Sequence, residues 1–211
     1  MNTITAIRDS PRQQVKIFLD GKPAFSLQTE LAAREGLQVG QELSDTQIAA
    51  LKQSHLSQRC LGAALGYLNY RPRSEWELRE RLTRRGFASG IVTATIDQLK
   101  EKGLVNDRSF AQFWKDNRES FRPRSQRLTR LELRRKGVGE DIIDQVVTGI
   151  DDNESAYQAA LSKIRSLSTP DYDVFRCRLA SYLQRRGFSY RVIDHTVKQV
   201  WQEREKVSKV A

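Results

Sequence analysis

Three pairs of basic residues, Arg84-Arg85, Arg135-Lys136 and Arg185-Arg186, each stand directly before a glycine, and these glycines (Gly86, Gly137, Gly187) lie 51 and 50 residues apart. Side chains of this type do one kind of chemistry well: they hold anions. Arginine offers a planar fork that matches a carboxylate or a phosphate, and lysine a compact point charge. A second set has the same period, since Tyr70-Arg71-Pro72-Arg73-Ser74 is echoed 51 residues on by Phe121-Arg122-Pro123-Arg124-Ser125. Both sets also have a plain structural reading. Positive charge in the last turn of a helix complements its dipole by about 0.3–1 kcal/mol, and an arginine beside a proline can tether a helix start to an acidic neighbour such as Glu75 or Glu77. Yet one charge would satisfy a dipole, and each repeat carries more: Arg79 and Arg81; Arg127, Arg130 and Arg134; Arg176, Arg178 and Arg191. The candidates for contact with a partner or a nucleic acid are therefore Arg71, Arg73, Arg84, Arg85, Arg122, Arg124, Arg134, Arg135, Lys136, Arg185 and Arg186.

Catalytic chemistry is not in evidence. His55 and His195 are far apart in the chain, and with Cys60 and Cys177 they show no metal-ligand spacing. No glycine-rich phosphate loop, G-x-S-x-G or H-E-x-x-H occurs. Neither an enzymatic reaction, a metal nor a cofactor is expected. The 36 Lys and Arg against 26 Asp and Glu give a formal charge of +10, which suits a polyanionic partner. All of that excess lies after residue 56: residues 1–56 hold six basic and six acidic side chains, and residues 57–211 hold 30 and 20. No apolar run reaches the roughly 18–20 residues of a membrane span. The N-terminus lacks the apolar core of a signal peptide, and two cysteines do not make a disulfide framework, so a reducing, cytoplasmic setting is expected.

The elements that must position these charges are helices for most of the length. Residues 1–56 read as a small α+β cap: strand-like Ile4–Ile7 and Val15–Leu19, an Asp20-Gly21 turn, then Ala24–Leu27. Two short helices follow, near Gln28–Glu35 and Asp45–Gln53, the second capped by Ser44. From Ser57 the spacing predicts three tandem three-helix repeats over 57–105, 106–151 and 152–211. In the first, Leu61, Ala64, Leu65 and Leu68 line one helix face up to Pro72, and Ser74 with Glu77 forms a capping box for the next helix. Asp107 is expected to cap the helix carrying Phe110, Phe113, Trp114, Asn117 and Phe121, and Ser125 the helix after Pro123. The third repeat starts from Asn153 and breaks at Pro170. After each repeated glycine the apolar positions agree: Ile91, Ile142 and Val192 at +5; Ile96, Val147 and Val197 at +10; Leu99, Ile150 and Val200 at +13. The glycines read as helix stops in the left-handed conformation, and Trp76, Trp114, Phe110 and Phe113 as core. The expected architecture is mainly α, an elongated curved array of three-helix repeats with an N-terminal α+β extension.

The runs RPRSEWELRERLTRRGF, GLVNDRSFAQFW, LELRRKGV and YLQRRGF, in that order, resemble the RecX family of recombinase regulators over about residues 57–204. Residues 1–56 resemble the extension carried by longer members. The resemblance implies a monomeric helical protein without catalytic residues. It implies binding to the RecA–single-stranded DNA filament and inhibition of its ATP hydrolysis, strand exchange and coprotease activity. DNA binding in its own right, to single or double strands, is also implied. Two other readings remain open on the residues alone. A helix-turn-helix DNA reader could place its basic middle helix in a major groove. A helical scaffold binding only protein would lack the steep salt dependence of phosphate contacts.

Overall fold

Alternating burial builds the N-terminal sheet. The computed structural model describes residues 2–11, 13–167 and 171–210, with side chains up to Lys206. Strands β1 (Asn2–Ser10), β2 (Gln14–Leu19) and β3 (Lys22–Gln28) pair antiparallel in a meander, and β4 (Glu42–Leu43) joins the outer edge of β1, giving the order β3-β2-β1-β4. The turn between β2 and β3 has Asp20 and Gly21 at φ 49° and 77°, the pair of left-handed residues that a two-residue hairpin matched to strand twist requires. Ile4, Val15, Ile17 and Leu27 point to one face, where they pack with Leu31 of helix α1 (Thr29–Arg34) and with Leu43, Ile48 and Leu51.

Ile48 and Leu51 belong to α2 (Asp45–Tyr70), a single helix of 26 residues, about 39 Å long at 1.5 Å per residue. Here the structure corrects the sequence reading, which broke this segment into two helices and set a boundary at 56/57. Nothing in Gln53-Ser54-His55-Leu56-Ser57 removes a hydrogen-bond donor or demands a left-handed residue, so the helix runs through. Ser44 caps it as expected: its Oγ accepts from Gln47 N at 3.2 Å while Gln47 Oε1 accepts from Ser44 N at 2.8 Å, a reciprocal capping box.

The rest is helical. α3 (Glu75–Arg84) and α4 (Ser89–Glu101) follow α2; then come α5 (Asp107–Phe121), α6 (Gln126–Arg135) and α7 (Glu140–Val147); then α8 (Asp152–Ile164), α9 (Tyr172–Arg185) and α10 (Tyr190–Val210). The break expected at Pro170 lies outside the described residues. Phe110, Leu133, Ile143 and Val147 centre the core of α5–α7, and Ala160, Phe175, Leu179 and Val197 that of α8–α10. Positions +10 and +13 after each glycine are buried in all three repeats, but at +5 Ile142 and Val192 are only half-buried, and the fuller burial falls at +6, on Val92, Ile143 and Ile193. Phe121, read as part of an inward face, is 77% exposed. α5 is capped by Asn106, whose Oδ1 accepts from Ser109 N, and α8 by Asp151; Asp107 and Asp152 stand one position further on and do something else.

By compactness the chain divides in two, and the division runs through α3. Residues up to Tyr70 and Arg79–Glu101 form one unit; Arg71–Leu78 and residues from Lys102 onward form the other. The start of α3 thus belongs with the helices that follow it.

In the first unit His55 is buried on α2, and burial together with the nearby Arg59 charge holds its pKa below the usual histidine value. The unfolded chain therefore binds a proton more readily than the folded one, so this group favours folding above its ordinary pKa near 6.5 and works against it as pH falls below that. Thermal melting followed from about pH 7 to about pH 5 is expected to show falling stability, with a shallower fall in His55→Leu. Parallel slopes in both proteins would contradict the buried neutral imidazole.

Candidate functional site

Each repeated glycine ends its helix in the same way. Gly86, Gly137 and Gly187 have φ of 90°, 73° and 87°. The next residue's N–H reaches back to the leucine carbonyl: Phe87 to Leu82 at 3.3 Å, Val138 to Leu133 at 3.2 Å and Phe188 to Leu183 at 3.4 Å. That satisfies carbonyls the helix would otherwise leave open. The turn also has a second use. A Cβ on Gly137 would fall 2.7 Å from Trp76 Cγ with Trp76 Cβ nearer still, and one on Gly187 would fall 2.6 Å from Ser125 Oγ and 2.8 Å from Leu128 Cβ. The middle helix of one repeat is seated, by its first turn, on the glycine turn of the next repeat.

Hydrogen bonds fix this seating. Ser74 Oγ donates to the Lys136 carbonyl at 2.6 Å and accepts from Glu77 N at 3.1 Å; in the next repeat Ser125 N donates to the Arg186 carbonyl at 3.1 Å. Glu75 N donates to Asp107 Oδ1 at 2.8 Å, and 51 residues on Gln126 N donates to Asp152 Oδ1 at 2.7 Å. A carboxylate of the following repeat thus caps the N-terminus of the preceding middle helix, where the dipole favours negative charge.

The second residue of the basic pair is part of the same joint. Lys136 Nζ pairs with Glu77 and lies 4.2 Å from the centre of the Trp114 ring. Arg71 grips the same carboxylate with two nitrogens at 2.9 and 3.0 Å and donates to the Pro72 carbonyl at 2.8 Å. Burial alone would raise the Glu77 pKa, but the hydrogen bonds from Arg71 and Lys136 outweigh it and hold the carboxyl below its ordinary value. So Glu77 does not close the capping box expected of it; its side chain reaches Arg71 and Lys136 instead. Arg186 donates to the Pro123 carbonyl at 2.9 Å and stacks 4.5 Å from the centre of the Tyr182 ring. Glu132 gathers Arg118, Arg124 and the Trp114 indole N–H, and Arg124 is held below the usual arginine pKa by burial and by the charges of Arg118, Arg186 and Arg122.

The eleven candidate cations therefore sort by surroundings. Arg71, Arg124, Lys136 and Arg186 are engaged within the second unit, and Arg73 is buried, only 6% exposed. Arg84 pairs with Glu80 four residues earlier, and Arg134 reaches Glu140 at 2.7 Å. Arg85, Arg122, Arg135 and Arg185 are exposed and form no ion pair among the described residues. Tyr70 and Phe121, at equivalent positions directly before Arg71 and Arg122, are 85% and 77% exposed. The sequence reading named Glu77 as an acid to which an arginine beside the proline can tether, as Arg71 does, but it read Asp107 and Asp152 as caps of their own helices and did not single out Glu132. The parallel of Glu75 with Gln126, each answered by an acid early in the next repeat, was the available signal.

Comparison with known proteins fits this pattern of repeats. The model of the first three-helix domain of RecX matches residues 60–99, and that of the second three-helix domain matches residues 106–147. The regulatory protein RecX of Mycobacterium avium (strain 104) is 38% identical over 138 residues, covering 63% of this chain and 79% of that protein. The chain belongs to the RecX family. A RecX of Clostridium botulinum (strain Alaska E43 / Type E3) is 28% identical over 194 residues, 89% of this chain and 90% of that one. A crystal structure of a regulatory protein RecX superposes with a TM-score of 0.64 at 25% identity, covering 93% of this chain and 98% of the other. Among the described residues no cluster of acids, histidines and cysteines could hold a metal, and no helix is long and apolar enough to cross a membrane.

The glycines offer a direct check of the joint. Gly86 has open space around a built Cβ, so Gly86→Ala should cost only the left-handed backbone, about 1–2 kcal/mol. Gly137→Ala and Gly187→Ala must also displace neighbouring backbone-anchored atoms, adding about 1–3 kcal/mol. Urea unfolding of the three variants is expected to rank them in that order; equal losses would mean that the close approach carries no energy.

Proposed function

We propose that this chain is a non-enzymatic, cytoplasmic regulator that binds the RecA–single-stranded DNA filament as a monomer and lowers recombinase activity, ATP hydrolysis and coprotease function. Family membership supports the partner, because the RecX relatives are named regulatory proteins. The observation that carries the contact surface is the division within each basic pair of the second unit. Lys136 and Arg186 turn into the joints between repeats, whereas Arg135 and Arg185, one residue earlier, are exposed and without ion pairs among the described residues. Arginines at equivalent positions of successive repeats can neutralise successive phosphates or carboxylates of a regular partner, and several weak contacts on one chain gain through effective concentration. Arg122 and the exposed Phe121 beside it add a charge with an aromatic platform, the pairing that holds single-stranded nucleic acid.

A helix-turn-helix reader of duplex DNA is less well supported. The first turns of α3 and α6, the end of a recognition helix that normally meets base edges, are covered by Lys136-Gly137 and Arg186-Gly187.

Arg135→Glu with Arg185→Glu is expected to weaken inhibition of ATP hydrolysis by preformed RecA–single-stranded DNA filaments at least tenfold, with helix content unchanged. The measurement is a titration of each protein into the filaments at fixed salt. Lys136→Glu with Arg186→Glu should instead lower the melting temperature. Full inhibition by the folded Arg135/Arg185 variant would overturn the assigned surface, and no inhibition by the unmodified chain would overturn the regulator reading itself.

A further inference from the structure

The first repeat has the same glycine turn as the other two, and the described residues before it fold as the sheet and α1 rather than as a repeat that could be seated there. What lies beside that turn is a groove of about 410 Å³ in the first unit, lined by Gln58, Arg59, Gly62, Gly66, Tyr67 and Arg85 among others. Two of its lining residues are counterparts, 51 residues earlier, of residues at the seat in the second repeat: Arg85 corresponds to Lys136 and Ala63 to Trp114. Gly62 and Gly66 stand on the same helix where the second repeat has Phe113 and Asn117. Where the second repeat fills its seat with an indole and with the Arg71–Glu77 segment, the first has small residues and open space around them; a Cβ on Gly62, Gly66 or Gly86 would meet nothing within 4 Å.

Of the polar groups in this groove, Arg85 is the counterpart of one the occupied seats use, and Arg59 and Gln58 stand beside it. The carbonyls of Lys136 and Arg186 accept from Ser74 Oγ and Ser125 N, while the Arg85 carbonyl accepts no such bond among the described residues. Lys136 Nζ meets the Glu77 carboxylate; Arg85 and Arg59 are exposed and have no ion pair among the described residues. Gln58 Oε1 is shielded from solvent and has no donor among the described residues. An oxygen acceptor kept dry next to two free guanidinium groups calls for an occupant that brings both N–H donors and a carboxylate. The first turn of a helix starting Ser-x-x-Glu brings both, since its leading N–H groups have no intrahelical acceptor. A phosphate ester would meet the two arginines but would supply no donor to Gln58.

We propose that this groove is a docking site for the acidic N-terminal turn of a helix on a protein partner, of the x-Pro-x-Ser-x-x-Glu kind that the chain itself seats on its second repeat. The site uses neither Arg135 nor Arg185 and does not depend on the filament reading. The occupant is held as Glu77 and Ser74 are held: its carboxylate by Arg85 and Arg59, its serine hydroxyl by the Arg85 carbonyl, and its open N–H groups by Gln58.

The test uses the isotope-labelled full chain and, as probe, a synthetic peptide of its own residues 70–84 added to about 1 mM, where weak docking is still visible. Saturable amide shifts are expected at Gly62, Gly66, Arg85 and Phe87. They should be lost in Arg85→Glu, and a peptide carrying Glu77→Gln should bind at least threefold more weakly. Gly62→Phe with Gly66→Asn, which installs the second repeat's residues at exposed positions, should also abolish them while leaving the melting temperature at or above that of the unmodified chain. Absence of shifts at Gly62 and Gly66, or equal shifts with inorganic phosphate or a single-stranded oligonucleotide in place of the peptide, would overturn the proposal. No recombinase is present, so either result leaves the regulator reading to its own titration.

Discussion

The second unit depends on one constraint: a helix start must come within contact of another helix's end. A backbone can approach another this closely only where no Cβ intervenes, so the residue at the meeting point has to be glycine, and the left-handed geometry of a helix stop already favours glycine there. Trp76 against Gly137, and Ser125 with Leu128 against Gly187, are the two instances. Helix termini are poor in internal hydrogen bonds, and the joint answers this by pairing a start with an end. The free N–H groups of α3 and α6 find Asp107 and Asp152, while the carbonyls of Lys136 and Arg186 find Ser74 and Ser125.

Charge is then drawn into the joint. Glu77 is nearly buried, and a buried carboxylate is tolerable only when its partners are in place; removing one side of such a pair costs about 3–5 kcal/mol. Arg71 and Lys136 supply those partners, and Trp114 offers its face to Lys136 and Arg118. Two of the cations that give this half of the chain its positive character, Lys136 and Arg186, are thus spent on holding repeats together, and Arg71 and Arg124 hold acids within their own repeats. In both pairs of the second unit the first member, Arg135 or Arg185, one residue earlier and about 100° round the helix, is left to solvent or to a partner. One local sequence therefore carries two functions, separated by the helical pitch.

Much of this was legible in the residues. Periodicity placed nearly every helix after Ser57, because the apolar positions at +10 and +13 repeat without exception and Pro72 and Pro123 stop helices wherever they occur. The α2 boundary was not legible: a chain that passes from a sheet-facing stripe (Ile48, Leu51) to a helix-facing one (Cys60, Ala64) needs no break in the backbone, only a change of neighbour. The fate of the cations was half legible. Arg-Pro-Arg flanking a turn suggested tethering or anion contact equally, and the choice depended on Glu77 meeting a lysine 59 positions away, a pairing no local pattern encodes. Trp76 was misjudged for a related reason: it is 45% exposed, yet its Cβ is what makes glycine obligatory at 137.

The division of labour within the basic pair rests on the bond between Lys136 and Glu77, and a double-mutant cycle measures it most directly. Urea unfolding of Glu77→Gln, Lys136→Met and the double variant should give a coupling energy of about 1–3 kcal/mol, the double variant losing less than the sum of the two single losses. Losses that add to within about 0.5 kcal/mol would show that the two residues act independently. Lys136 would then belong with Arg135 on the partner-facing surface, and the joint would rest on the glycine contact alone.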